Sequence, residues 1–316
     1  MLPAFSKIFE RVVYNRIFKF IIDNNILCSK QYGFRPGHST SHALISFVNK
    51  VSNAVDSNNY LAGVFLDLSK AFDTLDHAIL LQKLEIYGVT GVAHKWITDY
   101  FSNRKQFVLV NESKSCLCNQ ICGVPQGSIL GPLFFILYIN DLSNCSNKLC
   151  SILFANDTSL FSEHKDPNIL INQLNCECQK VSDWLRANKL SINVSKTKLI
   201  IFRRRQRSLP NIIPLTIESH VVELVESTKF LGVYIDQHFT WKTHINVISK
   251  KIAKSIRLIY RASFYLHKNS LLSLYYVLIY PYLTYCNLIW ASTYITNLHQ
   301  VYLLQKHVVG LITKSD

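Results

Sequence analysis

Two short stretches hold the residues whose types and spacing could do chemistry. Asp67 lies near the end of the apolar run YLAGVFLDL (60–68), and Asn156 and Asp157 interrupt the run SILFANDTSLF (151–161). Both runs have the length and the aliphatic and aromatic content of strands, so the second reads as a hairpin with its polar residues at the tip. Two readings of that tip stand side by side. Asn and Asp tolerate unusual backbone angles and bond back to their own chain, which makes them ordinary turn residues. Alternatively, Asp67 at a strand end and Asp157 at a hairpin tip, brought face to face, form a pair of hard oxygen ligands of the kind Mg²⁺ takes together with phosphate oxygens. In that second reading Asn156 is the anomaly, because an amide offers an oxygen but no charge.

The elements that must position these residues follow from periodicity. Phe5, Phe9, Val13, Ile17 and Phe20 recur at helical spacing, predicting an amphipathic helix over 5–22. A second helix is predicted over 41–56, with Ser39 or Thr40 as its N-cap. Residues 77–102 read as helix and 105–122 as a strand pair around Asn111. Residues 131–141 read as a helix with Pro132 in its first turn, and 166–189 as a long helix. KTKLIIF (196–202) and KFLGVYID (229–236) read as strands. Strands in hairpins mixed with helices predict an α+β fold. From residue 243 the pattern is wholly helical. Lys250, Lys254, Arg257 and Arg261 recur every three or four positions on one side, and Ile245, Ile248, Ile252, Ile256 and Ile259 take the other. That basic stripe is either a solvated face or a track for phosphates.

Bulk properties narrow the partners. The chain has 316 residues, with 34 Lys and Arg against 20 Asp and Glu and a net charge of +14, which favours a polyanionic partner. Its nine cysteines lack zinc-site spacing, and no long apolar segment opens the chain, so reduced thiols and an intracellular location, nucleus or cytoplasm, are expected. The uncharged stretch 271–295 is long enough to cross a bilayer. It holds six tyrosines with Pro281 and Asn287, and so reads instead as a buried helical hairpin broken near Pro281, with no membrane partner.

FLDLSKAFDTLDH (65–77), GVPQGSILGPLFFILYINDL (123–142) and FANDTSLF (154–161), in that order, resemble the palm of a reverse transcriptase of the non-LTR, LINE-type retrotransposons, close to the Jockey-like group. QYGFRPGHST (31–40), WLRANKLSINVSKTKLIIF (184–202) and KFLGVYID (229–236) extend the match over nearly the whole chain. The resemblance implies a right-hand polymerase fold. Residues 1–60 would be partial fingers, 61–236 a palm with a fingers insertion at about 78–118, and 237–316 a helical thumb-like region. It implies two Mg²⁺ ions, with Mn²⁺ as an alternative, bound by Asp67 and Asp157 for in-line transfer of a nucleotide to a primer 3′-hydroxyl. Phe72 would be the gate that crowds the sugar 2′ position. Gln126 and Gly127 would line the nucleotide site, Arg35 would either lie near template or nucleotide or serve a structural ion pair, and Lys196 would serve the departing pyrophosphate. The partners implied are an RNA template, a DNA primer and deoxynucleoside triphosphates, with Lys250, Lys254, Arg257 and Arg261 on the duplex.

Two departures qualify what is implied. Relatives carry two consecutive aspartates where this chain has Asn156 and Asp157, so impaired activity is expected. Relatives also carry an arginine-containing segment and an endonuclease domain upstream, so the chain reads as an N-terminally truncated copy. A polymerase domain and a catalytically silent remnant that only binds nucleic acid are the two functions to separate.

Overall fold

The computed structural model describes residues 4–102 and 104–314. In chain order its elements begin with α1 (Ala4–Asp23), α2 (Thr40–Asp56), β1 (Tyr60–Asp67), α3 (His77–Ile86) and α4 (Gly91–Phe101). Where one helix is predicted over 77–102 there are two, because Gly88 takes φ +88° and turns the chain between them. The strand pair around Asn111 is present as β2 (Lys105–Gln106), β3 (Leu109–Val110), β4 (Ser113–Lys114) and β5 (Cys118–Asn119), with Asn111 and Glu112 both left-handed at the turn. Then follow α5 (Leu130–Tyr138), β6 (Cys150–Phe154), β7 (Asp157–His164), α6 (Pro167–Ala187, capped by the Asp166 carboxylate) and β8 (Lys198–Phe202). Short strands β9 (Thr216–Ile217), β10 (His220–Val221) and β11 (Glu223–Leu224) lead to the hairpin β12 (Ser227–Phe230) and β13 (Val233–Asp236). Helices α7 (Lys242–Ala262), α8 (Lys268–Leu278), α9 (Tyr280–Thr284), α10 (Asn287–Trp290) and α11 (Ile295–Thr313) complete the chain.

Packing divides the chain into two units, one of residues 1–39, 62–199 and 210–223, the other of 40–61, 200–209 and 224–316. The largest sheet has the strand order β11-β8-β1-β7-β6. In the first unit α5 is buried almost end to end, which its uninterrupted apolar sequence requires. Helix α1 departs from its predicted face: Phe5 and Phe9 are exposed, while Glu10, Ile17 and Ile21 are buried. The cause is polar. Glu10 accepts the Tyr100 hydroxyl at 2.7 Å and the Ile129 N–H at 2.6 Å, at the N-terminal end of α5 where the helix dipole favours an anion. Burial, then the Glu10 carboxylate, pushes the Tyr100 hydroxyl well above its ordinary range, so it remains a donor.

In the second unit Phe47 of α2 is ringed by Phe202, Phe230 and Phe239, with centroids 5.4 to 5.6 Å away. The predicted partition of α7 is present, with Ile245, Ile248, Ile252, Ile256 and Ile259 buried and Lys250, Lys254, Arg257 and Arg261 exposed. His244, on the buried side, accepts the Tyr234 N–H at 3.4 Å, and burial, then the charge of Lys251, lowers its pKa to about 4. The 271–295 stretch is helical and interrupted at Ile279, but it is not the buried hairpin expected. Leu271, Tyr275, Ile279, Cys286, Ile289 and Trp290 are buried, whereas Tyr276, Tyr280, Tyr285 and Tyr294 are exposed, because each of these helices turns a single face to its neighbours. Among the described residues no helix is long and apolar enough to cross a membrane.

Candidate functional site

Asp67 is the last residue of β1, and the 193–197 turn fastens that strand end. The Asn193 N–H donates to the Asp67 carbonyl at 2.8 Å, and the Asp67 N–H donates to Thr197 Oγ1 at 3.5 Å. The same turn carries Lys196, whose Nζ lies 3.7 Å from Asp67 Oδ2. Lys196 is mostly in solvent, so the pull between the two charges is screened.

The hairpin of β6 and β7 pairs Phe154 with Asp157, leaving Ala155 and Asn156 as a two-residue tip. Turn chemistry predicts the unusual backbone at the polar residues. Instead Ala155 takes the left-handed conformation, at φ +55°, and Asp157 already belongs to the strand. An alanine needs outside support there. The support comes from the 30–33 segment: Gln31 Oε1 accepts the Ala155 N–H at 3.3 Å and the Gly33 N–H at 2.8 Å, and the Tyr32 N–H donates to the Leu153 carbonyl at 2.8 Å. Gly33 presses on the tip so closely that a Cβ would stand 2.3 Å from the Ala155 nitrogen and 2.8 Å from the Phe154 carbonyl carbon. Both obstacles are backbone, so Gly33→Ala is expected to displace the tip and to cost about 2–3 kcal/mol in urea unfolding. Gly37→Ala, where nothing lies within 4 Å and only the φ of +76° is strained, is the control and should cost about 1–2 kcal/mol. A smaller loss for Gly33→Ala than for Gly37→Ala would mean that the tip is not clamped.

Beside the tip is a cavity of about 510 Å³ lined by Phe34, Lys70, Phe72, Gln126, Gly127 and Asn156, among others. Phe72 is braced by Phe135 at 4.5 Å and by the edge of Phe34 at 6.3 Å. The loop carrying Gln126 and Gly127 is locked onto the turn after β1. There the Gly123 N–H donates to the Leu75 carbonyl at 2.7 Å and the Val124 N–H to the Phe72 carbonyl at 3.0 Å. Gly123 has to be glycine: φ is +77° and a Cβ would stand 2.6 Å from the Asp73 carbonyl oxygen.

The structure thus brings Asn156, Phe72, Gln126 and Gly127 to one cavity and sets Lys196 beside Asp67. Leu68 and Asn156, the immediate neighbours of the two acids, also line it. Arg35 is not among its lining residues. It borders a second cavity of about 420 Å³ that shares Phe34 and Pro132, and its Nη1 donates to the Cys28 carbonyl at 3.3 Å. Lys250, Lys254, Arg257 and Arg261 belong to the second unit. Sequence reasoning passed over Phe34, Lys70 and Gln31. Phe34 carries a signal, since an aromatic in the polar loop GFRPG has no helix or strand face to bury it, and it is half exposed at φ +52°. Gln31 carries none, because its role depends on a strand far away in sequence.

Electrostatics link the two acids. Crowding by protein atoms, then the charge of Asp67, holds the Asp157 carboxyl above its ordinary range. Among the described residues no group of three or more His, Cys, Asp or Glu side chains is gathered for a metal. The pair nevertheless fits a hard divalent cation, because Mg²⁺ is commonly held by one or two carboxylates with phosphate oxygens completing its shell. A cation would also relieve the repulsion that raises Asp157.

A strand-end acid and a hairpin acid on neighbouring strands of a sheet flanked by helices, beside a cavity, fit the right-hand polymerase fold. Solved structures with the same fold include telomerase from Candida tropicalis in complex with a TWJ fragment of telomeric RNA (TM-score 0.51, 11% identity, covering 98% of this chain and 51% of that one). The apo form gives TM-score 0.50 at 12% identity, covering 98% and 50%. At such identities the likeness is one of fold alone. Residues 1–235 match the family described as reverse transcriptase (RNA-dependent DNA polymerase), and the chain belongs to that family. Curated relatives include the probable RNA-directed DNA polymerase from transposon X-element of Drosophila melanogaster, 29% identical over 99% of this chain and 35% of that protein. The RNA-directed DNA polymerases from mobile element jockey are 26% identical in Drosophila melanogaster, over 79% of this chain and 28% of that protein, and 24% in Drosophila funebris, over 99% and 35%. The chain spans about a third of the length of the curated relatives that it matches end to end.

Proposed function

We propose that this chain is the polymerase domain of a non-LTR retrotransposon, joining deoxynucleotides to a DNA primer 3′-hydroxyl on an RNA template. The observation that carries the reading is the placing of Asp67, the last residue of β1, and Asp157, the first of β7, on neighbouring strands of one sheet, beside a cavity walled by Phe72 and Gln126. Asp67 and Asp157 would hold two Mg²⁺ ions, or Mn²⁺ in their place. When bound, the ions supply stabilisation of the charge on the transferring phosphoryl group. The remaining roles belong to the chain itself. Phe72, fixed between Phe34 and Phe135, excludes a sugar 2′-hydroxyl by its bulk. Gln126 and Gly127 form the ledge under the incoming base. Lys196 gives a charge or a proton to the departing pyrophosphate, help worth about 10²–10⁴ in rate. Arg35 acts from the neighbouring cavity on template or nucleotide. In functional terms residues 1–60 and 78–118 are fingers, 61–77 and 119–236 palm, and 237–316 thumb, a division that cuts across the packing units.

Asn156 favours a second reading, a domain that binds nucleic acid without extending it, because the amide removes one negative charge from the tip. Primer extension on an RNA template with Mg²⁺ and with Mn²⁺, beside Asp67→Ala, separates the two. Extension lost in Asp67→Ala supports a polymerase. Binding with no extension in either protein supports the second reading, and extension that survives Asp67→Ala overturns the assignment of the site.

A further inference from the structure

The C-terminal helices carry a feature that the proposed active site does not use. From Gln237 to Ser315 the sequence holds nine Lys and Arg and no Asp or Glu. At the end of α7 an open groove of about 880 Å³ is lined by Tyr260, Phe264, Leu303, Lys306, His307 and Lys314, among others. Its aromatic residues are left to water: Tyr260 is 54% exposed, Phe264 67% and the adjoining Tyr265 88%. The Tyr260 and Phe264 rings stand edge to face, 5.2 Å apart. Exposed aromatic faces gathered near cations, with no acid in the groove's lining, complement a polymer that is both anionic and rich in flat π-surfaces.

The basic stripe leads into this groove. Lys250, Lys254, Arg257 and Arg261 run along about 16 Å of one side of α7, and Arg261 lies between Tyr260 and Phe264 in sequence. We propose that the groove seats the bases of an unpaired nucleic-acid strand that continues from the duplex whose phosphates follow the stripe. The assignment rests on reading the chain as a nucleic-acid polymerase domain, and it adds a single-strand site. A strand suits the groove better than a lipid surface, because the apolar face of α7 that a bilayer would take, Ile245 to Ile259, is buried in the protein.

The test is fluorescence anisotropy of a labelled single-stranded oligonucleotide, paired with the quenching of a 2-aminopurine base placed within it. Phe264→Ala and Tyr260→Ala should each lower strand affinity about tenfold, the size expected for one stacked base, and should abolish the quenching. Phe264→Trp should keep both, which guards against a loss due to misfolding. Unchanged affinity and quenching in Phe264→Ala and Tyr260→Ala would overturn the site. So would binding of phosphatidylserine vesicles, but not of the oligonucleotide, that depends on the same rings. Failure of the polymerase reading looks different: extension is absent or survives Asp67→Ala while ring-dependent strand binding persists.

Discussion

Asn156→Asp is expected to raise single-turnover primer extension by about 10²–10³, the factor associated with one preorganised electrostatic partner, or roughly 3–4 kcal/mol of barrier. The geometry makes the substitution simple to interpret. Asn156 lines the cavity with Phe72 and Gln126, is partly exposed, and does not take the left-handed position of the tip, so a carboxylate of the same shape can replace the amide without backbone strain. The change adds a third negative charge beside Asp157, whose carboxyl is already raised by crowding and by Asp67. Without a cation that repulsion should lower the melting temperature of the variant. Added Mg²⁺ should then stabilise it more than the native chain, since a ligand that binds only the folded state stabilises by RT ln(1 + L/Kd), with L its free concentration, which grows as binding tightens. The double change Asn156→Asp with Asp67→Ala should lose both gains. Equal rates and equal Mg²⁺ stabilisation in all three proteins would show that Asn156 is not the lesion.

What could be read from sequence was what depends on near neighbours. The strand ending in Asp67, the hairpin around residues 154–157 and the two faces of α7 are set by periods of two and 3.6 residues, and the structure has them. Local pattern failed where a distant group decides the outcome. Periodicity turned Phe5 and Phe9 inward, but Glu10 is the buried residue because Tyr100 and Ile129 offer it donors from two other elements. Turn chemistry gave the left-handed position to Asn or Asp, but Ala155 takes it because Gln31, more than a hundred residues earlier, holds its N–H. The motif residues around the cavity were readable singly. That Phe34 braces Phe72, and that Arg35 borders the neighbouring cavity, required the fold.

Replacing Lys250, Lys254, Arg257 and Arg261 together with Gln is expected to flatten the salt dependence of duplex affinity by about three to four units in log K against log salt, from about 0.9 per phosphate neutralised. At 100 mM salt that amounts to a loss of about 10³ in affinity, shrinking as salt rises and the native chain loses the same contacts. The four side chains are exposed, and among the described residues none is held in an ion pair, so their charge is available to phosphates. Folding should be little affected, because the isoleucines on the opposite side of α7 are untouched. Arg261, in the last turn, contributes a helix-dipole term of only about 0.3–1 kcal/mol. Lys251 supplies the control. It lies off the stripe with its ammonium 5.4 Å from the Tyr282 ring centre, and Lys251→Gln should change the slope by less than one unit. Anisotropy of a labelled RNA–DNA hybrid across a salt series measures both. A quadruple variant with the native slope would make the stripe a solvated face, and an equal change from Lys251→Gln would trace the salt effect to net charge rather than to a track along α7.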